Sequence, residues 1–254
     1  MLDIVIPCLK QDRSILERSL CGIFENIGDG IGNVFILSNS TDGFDKILST
    51  FGNKVSIIDE KDVVGYPKDD VVINNPSRKG WVYQQLLKLS SDKIVSTDNF
   101  LAIDADHVLI KPHKFVDGDK FNFYVSKEFH KPYFNCIDKL FGGKYQKEIN
   151  ESFISDKMVF NKSALSSMKN EIEENHGCSW DKAIFKCYDN TSYCGFSEFE
   201  TYGTYFNANN KEKMNLIPDE RFMYMYRNLE TMDYNMIKNN FKQYKSVTLF
   251  RLAK

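Results

Sequence analysis

Two aspartates, Asp104 and Asp106, stand two residues apart at the end of an apolar run in "NFLAIDADHVLIKP" (Asn99 to Pro112). Carboxylates placed where a buried strand runs out can hold magnesium or manganese, hard cations that take carboxylate oxygens and leave sites open for water or phosphate. Where the backbone is still extended, positions two apart share a face, and Ala105 between them adds no bulk. The spacing alone is not decisive. Asp117 and Asp119 repeat it in "KFVDGDKF" around Gly118, which suits a tight turn, and we read that second pair as a solvated turn. The four histidines, His107, His113, His130 and His176, show no metal-ligand spacing, although His107 adjoins the acidic pair.

Polar residues also interrupt the apolar segment "RKGWVYQQLLKLS" (Arg78 to Ser90). On a helix Gln84 and Lys88 share one face, and Trp81, Gln85 and Leu89 share another. Two adjacent glutamines ahead of Leu86-Leu87 are wasteful if the helix only packs. Further on, Ser197 can cap a helix that carries Glu198 and Glu200 in its first turn, where acids also favour the helix dipole.

These residues need a frame. "LDIVIP" (Leu2 to Pro7), "NVFILS" (Asn33 to Ser38), "KVSIID" (Lys54 to Asp59) and "NFLAID" read as buried strands. Between them, Ile15, Leu16, Leu20, Ile23, Phe24 and Ile27 recur at helical steps after a candidate cap at Asp12. "TDGFDKILST" and "KGWVYQQLLKLS" also read as helices. Strands alternating with helices predict a mainly parallel sheet covered on both faces. In the second half "KFNFYVS", "KMVFN", "RFMYMYR" and "SVTLFRL" read as strands. "SALSSMKNEIEE", "SWDKAIFKCY", "FSEFETYGTYF" as far as Gly203, and "MDYNMIKNNFKQYK" read as helices. With no repeat and no Pro- or Gly-rich linker, the expectation is one α/β domain over residues 1–254. In an open parallel sheet ligands bind outside the carboxyl ends of the strands, where Asp104 and Asp106 stand.

Composition supports a large core, with 42% hydrophobic and 14% aromatic residues among 254. A net charge of −2 argues against a dedicated nucleic-acid binder. No apolar run is long enough to span a membrane, and "MLDIVIPCLKQDR" reads as a first strand, not a signal peptide. Cys8, Cys21, Cys136, Cys178, Cys187 and Cys194 form no C-x-x-C pair, which fits core thiols in a reducing cytoplasm.

Taken together, the chain resembles glycosyltransferases of the GT-A fold. More narrowly, it resembles a bacterial family of putative glycosyltransferases once listed as a domain of unknown function. The resemblance rests on "RKGWVYQQLLKL", "FLAIDADHVLIKP", "ESFISDKMVFNKSAL" and "FSEFETYGTYF" and spans most of the chain. It implies a Rossmann-like sheet with a nucleotide-sugar-binding half (1–112) and an acceptor-binding half (113–254). It implies a nucleotide-sugar donor, a UDP-sugar before others, Mn2+ or Mg2+ as cofactor, and a glycan or lipid-linked glycan acceptor in bacterial surface polysaccharide synthesis. Members of that family often carry a histidine near the middle of the Ser-Phe-Ile-Ser segment, where this chain has Asp156 and Lys157. That places any role of such a histidine in question here.

The resemblance also implies roles. Asp106 binds the metal directly, and Asp104 touches the ribose or the metal through water. Pro7 to Lys10 forms the wall against the base, with Asp59 a donor-site candidate. Arg78 and Lys88 approach donor phosphates or sugar, with Gln84 or Gln85 on a sugar hydroxyl. The transfer is expected to invert the anomeric centre, with Glu198 as base and Glu200 and Asp156 behind it. Asp156 is otherwise expected in a surface turn.

Two rivals remain. A sugar nucleotidyltransferase needs a glycine-rich phosphate loop after the first strand, and "IPCLKQDRSIL" has no glycine. A non-catalytic carbohydrate-binding protein of the same fold is the other. Finally, the chain after Asp233 holds no acid but has Lys238, Lys242, Lys245, Arg251 and Lys254, with Ile237, Phe241 and Tyr244 at helical spacing. Such a basic amphipathic helix can lie on an anionic membrane surface, or pack on the sheet with its lysines in water.

Overall fold

The computed structural model describes residues 1–9, 12–226 and 232–251. Along the chain run β1 (Leu2–Pro7), α1 (Arg13–Asn26), β2 (Ile31–Ser38), α2 (Asp45–Phe51), β3 (Val55–Asp59), α3 (Glu60–Val64), α4 (Lys79–Ser90) and β4 (Asn99–Ile103). There follow β5 (His107–Leu109), β6 (Val116–Asp117), β7 (Lys120–Val125), α5 (Lys131–Leu140), β8 (Lys157–Asn161) and α6 (Lys162–His176). The chain closes with α7 (Trp180–Cys187), α8 (Glu198–Asn209), β9 (Met214–Pro218), β10 (Arg221–Tyr226), α9 (Tyr234–Asn240) and β11 (Ser246–Arg251).

The main sheet has the order β3-β2-β1-β4-β8, parallel throughout except for β8, which runs antiparallel to β4. Every residue of β1 is buried, as expected for a strand covered on both faces. The polar exception is Asp3. Its carboxylate accepts from the N–H groups of Asn33, Ser96 and Thr97 and from the Ser96 hydroxyl. Burial alone would raise its pKa, but these donors hold it below the usual value. The same bonds tie β1 to β2 and to the entry of β4.

A smaller sheet, β10-β11-β5, carries the strand that leaves the acidic pair. β5 is clamped by α1. Ser19 Oγ donates to His107 O (2.7 Å) and Asn26 Nδ2 to Leu109 O (3.1 Å). A Cβ on Gly22 would lie 2.5 Å from Leu109 O, so only glycine lets the helix backbone rest on that strand. A third sheet, β6-β7-β9, covers the other end.

Three expectations need correction. The Asp12 side chain makes no cap bond although the residue holds the N-cap position. Gly203 does not end α8, which runs on to Asn209. The glycine is there for contact, since a Cβ would lie 2.2 Å from the Phe153 ring. The C-terminal helix is only Tyr234–Asn240. Ile237 and Phe241 are buried in a small core with Ile15, Val108, Val247 and Leu249, while Lys238 pairs with Glu25 and Lys245 with Glu220. Of the two readings offered for this stripe, the packed one matches its place inside the protein, and Lys254 lies outside the described residues. No described helix is long and apolar enough to cross a membrane, and all six cysteines are free thiols.

Gly203→Ala should lower stability. Alanine gains about 1 kcal/mol in helix preference, but overpacking against Phe153 costs about 1–3 kcal/mol. Denaturant unfolding measures the balance, and a more stable variant would show that the Phe153 contact is slack.

Candidate active site

β4 ends at Ile103, and the chain turns at once. The Asp104 N–H donates to Asp156 O (2.9 Å), the His107 N–H to Asp104 O (3.0 Å), and the Leu249 N–H to Asp106 O (2.9 Å). Asp104 and Asp106 therefore project from a pinned turn, not from an extended strand face as the sequence suggested.

Lys88 lies between this turn and the start of α8. Its side chain is 4% exposed, with Nζ 2.6 Å from Asp104 Oδ1 and 2.7 Å from Glu198 Oε1, and it sits over the Phe199 ring. Burial would depress the ammonium's pKa, but Asp104 and then Glu198 hold it above the ordinary lysine value. Gln84 donates weakly to Asp104 Oδ1 (3.4 Å), and Gln85 Oε1 accepts the Glu198 N–H (2.9 Å). Ser197 caps α8 by accepting the Glu200 N–H. One side of α4 thus sets both the acidic turn and the N-terminus of α8.

The carboxylates outnumber the ammonium. Burial, offset by Lys88 but reinforced by Asp156 and Glu198, pushes Asp104 up to about 6. Asp106 is raised well above the usual range by burial first, then by Asp104, Asp156 and Asp12. Asp104 and Glu198 share the one Lys88 ammonium, and Asp106, which feels Asp104, Asp156 and Asp12, has no ion-pair partner among the described residues. That imbalance, on hard oxygen donors beside open solvent, fits a divalent cation. Among the described residues no group of three or more His, Cys, Asp or Glu side chains is arranged to hold a metal. A cation on this pair would therefore draw its remaining oxygens from water or a bound phosphate.

Behind the pair lies a second polar layer. Asp156 Oδ2 accepts from Arg221 (3.1 Å) and from the Thr248 hydroxyl. Burial opposes its charge, but His107 and Arg221 hold its pKa low. His107 is fully buried, and its pKa is lowered by burial and by Lys157. The Lys157 ammonium 3.3 Å from Nε2 makes that nitrogen the acceptor, leaving Nδ1–H to donate to Thr248 Oγ1 (2.8 Å). Lys157 also pairs with buried Asp219 at 2.7 Å. In this layer Asp156, Asp219 and, at its outer edge, Glu128 meet Lys157 and Arg221.

A narrow crevice with about 30 Å³ of water-accessible space opens outside the carboxyl ends of β1 and β2, lined by Pro7, Cys8, Leu9, Asn39, Lys68 and Gln84 among others. The strand order reverses between β1 and β4, the point where open α/β sheets bind ligands. Gln84 lines the crevice and also reaches Asp104, so the two are continuous.

Of the candidates, the fold brings Gln84, Gln85, Lys88, Asp104, Asp106, Asp156 and Glu198 together, and Pro7 lines the adjoining crevice. Lys10 lies outside the described residues. Asp59 caps α3 through the Lys61 N–H, and its neighbour Glu60 lines the crevice instead. Arg78 stands about 15 Å along α4 from Lys88 at helical rise, between the rings of Trp81 and Tyr193. Glu200 turns away from Glu198. Its carboxylate takes the Ser152 hydroxyl, and burial pushes its pKa up to about 7. Asp156 is no surface turn. Sequence reading missed Lys68, Arg221, Asp219 and Thr248, which lie far from any motif.

Lys88→Met should cost about 3–5 kcal/mol, because it strands two buried carboxylates. An acid with a raised folded pKa binds more protons when folded, so stability falls as pH rises towards that pKa. The loss should therefore be smaller at pH 5 than at pH 8 in urea unfolding. A pH-independent loss would mean that packing, not charge, is what Lys88 supplies.

A family model described as a family of unknown function, DUF6492, matches residues 14–245. No curated protein matches the chain. Among solved structures, the apo form of mouse xyloside xylosyltransferase 1 is similar at 10% identity and TM-score 0.54, covering 97% of each chain. An active-site mutant of LgtC is similar at 15% identity and TM-score 0.51, covering 100% of this chain and 89% of that one. The galactosyltransferase LgtC with donor and acceptor sugar analogues gives 14% identity and TM-score 0.49, over 98% and 87%. The first two establish the fold, that of the GT-A glycosyltransferases.

Proposed function

The chain belongs to this DUF6492 family of unknown function, and we propose that it is a cation-dependent glycosyltransferase taking its sugar from a nucleotide-diphosphate donor, a UDP-sugar, and passing it to a glycan. The observation that carries this reading is the crevice outside the carboxyl ends of β1 and β2, which Gln84 links to carboxylates short of a countercharge beside the Lys88–Glu198 pair. The base and ribose occupy the crevice against Pro7 to Leu9. The diphosphate lies towards Asp104 and Asp106, the residues that would hold Mn2+ or Mg2+. When bound, such an ion neutralises charge on the leaving diphosphate.

Glu198 is the carboxylate at the transferred sugar. Of the three acids considered for the base, Glu200 faces Ser152 and Asp156 is engaged by Arg221 and Thr248. Glu198 alone combines a fixed position at a helix start with a place beside the acidic turn. Lys88 and Gln85 hold it in place, as a base requires. Such a base takes the acceptor hydroxyl proton while that oxygen displaces the nucleotide, inverting the anomeric centre.

Donor hydrolysis and nucleotide-induced thermal stabilisation, each with manganese and with a chelator, test the reading. Asp106→Asn should abolish both effects, and Asp117→Asn, in the exposed turn, should change neither. Because a cation must displace the proton that a raised pKa retains on Asp106, manganese should bind more weakly as pH falls. Equal damage from the two substitutions would sink the metal assignment.

Glu198→Gln should cut turnover by roughly 10² to 10⁴ with little change in donor affinity. The anomeric configuration of the product, read by NMR, is the companion measurement. A retained configuration would remove Glu198 as base.

A further inference from the structure

Beside the site, aromatic rings are displayed where they would be expected to pack. The Arg78 guanidinium carbon lies 4.3 Å from the ring centres of both Trp81 and Tyr193. Trp81 in turn stacks on Tyr133, 6.5 Å away at 21°. Tyr193 is 60% exposed, yet its loop is braced. The Tyr188 hydroxyl donates to Tyr193 O, the His130 ring bonds Cys194 O, and Asp189 accepts both the N–H and the hydroxyl of Thr191. A loop held this firmly fixes the ring's position in solvent.

Arg78 is under-used. It forms no ion pair among the described residues. Its Nε is buried without a hydrogen-bond partner, and one amino nitrogen donates to Cys194 Sγ at 2.9 Å, a weak acceptor. A buried, unsatisfied donor on a permanent cation calls for an acceptor.

Both arms of this platform lead to Glu198. Trp81 is one helical turn from Gln85, whose side chain holds the Glu198 N–H. Tyr193 is four residues before Ser197, the cap of α8. The Tyr133 phenol, raised chiefly by burial, also feels the fields of Cys194 and Glu198.

We propose that Arg78, Trp81 and Tyr193 form the acceptor subsite, and that it receives an acidic sugar, a hexuronate residue of the acceptor glycan. This rests on the glycosyltransferase reading. The apolar face of a pyranose stacks on the exposed ring of Tyr193, as flat apolar surfaces do on aromatic side chains. The sugar carboxylate takes the guanidinium fork, the bidentate geometry for which arginine is suited and lysine is not. A hydroxyl of that residue then points along the platform to Glu198.

The test uses saturation-transfer NMR on the full chain, without donor or cation. The probes are a hexuronate disaccharide and its neutral hexose counterpart of the same linkage. The wild type should bind the hexuronate roughly tenfold more tightly. Tyr193→Ala should weaken both probes by about fivefold or more, through loss of stacking. Arg78→Gln should reduce the hexuronate to the neutral level, and Arg78→Lys, which keeps charge but not the fork, should fall between. Thermal melts establish that each variant is folded. Equal affinity for the two probes, no binding, or binding indifferent to Tyr193→Ala would overturn the proposal. Hexuronate binding without donor turnover would sink the transferase reading and leave the subsite standing. Turnover without hexuronate preference would do the reverse.

Discussion

The structure turns on one buried ammonium. Lys88 is nearly inaccessible, and an unpaired charge there would be several kcal/mol unfavourable even after relaxation. Two carboxylates within 2.7 Å offset that cost, and they come from parts of the chain far apart, the turn after β4 and the first turn of α8. The pair is therefore a tertiary clamp as well as an electrostatic one. With the Gln85 contact to the Glu198 N–H, it makes α4 the spacer that sets the separation of the acidic turn from the helix carrying Glu198. The shifts within the clamp run the same way for both partners, which a simple ion pair would not produce. Lys88 is raised by its carboxylates, whereas Asp104 is raised despite Lys88, because burial, Asp156 and Glu198 act against it. The ammonium serves more negative charge than it can neutralise.

The second polar layer explains why that excess stays in front. Asp156 could have joined the acidic cluster, but Arg221 and Thr248 hold its carboxylate, while its backbone carbonyl receives the Asp104 N–H. Lys157 forces His107 into the neutral Nδ1–H form and pairs with Asp219. Here every acid touches a cation, since Arg221 is shared by Asp156, Asp219 and the more exposed Glu128, hydrogen bonds are nearly complete, and β5 and β11 are locked beneath the turn. A satisfied network of this kind is rigid, and rigidity is what a turn bearing two repelling carboxylates needs.

Much of this frame was legible from residue pattern. β1 and β4 are apolar runs broken only by Asp3 and Asn99, and α4 begins and ends where its periodicity said it would, because nothing tertiary competes with those local signals. Gly203 misled, since glycine is as useful for close packing as for ending a helix. α5 went unseen because Pro132, harmless in a first helical turn, reads as a breaker. β5 has three residues and exists because α1 and β11 hold it. The acidic pair was visible, but its turn geometry depends on Asp156 and Leu249, distant in sequence. Lys88 shows the limit best. The resemblance singles it out as a residue approaching donor phosphates or sugar, and its buried pairing emerges only when Asp104 and Glu198 are placed against it. Arg221, Asp219 and Thr248 carry no motif, because their meaning lies wholly in whom they meet.

Two clusters in one protein thus solve opposite problems with the same residue types. In the rear layer every acid touches Lys157 or Arg221, and the result is structure. In the front layer acids exceed cations beside an open crevice, and the result is a demand that the folded chain does not meet by itself. Such an excess destabilises the empty protein, and could have been relieved by replacing Asp106 with a neutral residue. A large aromatic core built around Phe160, Tyr202, Phe206 and Phe123 sustains the cost. α8 links the two ends of that trade. Its first turn presents Glu198 to the unsatisfied site, and its next turns, through Tyr202 and Phe206, are buried in the packing that holds the site in place.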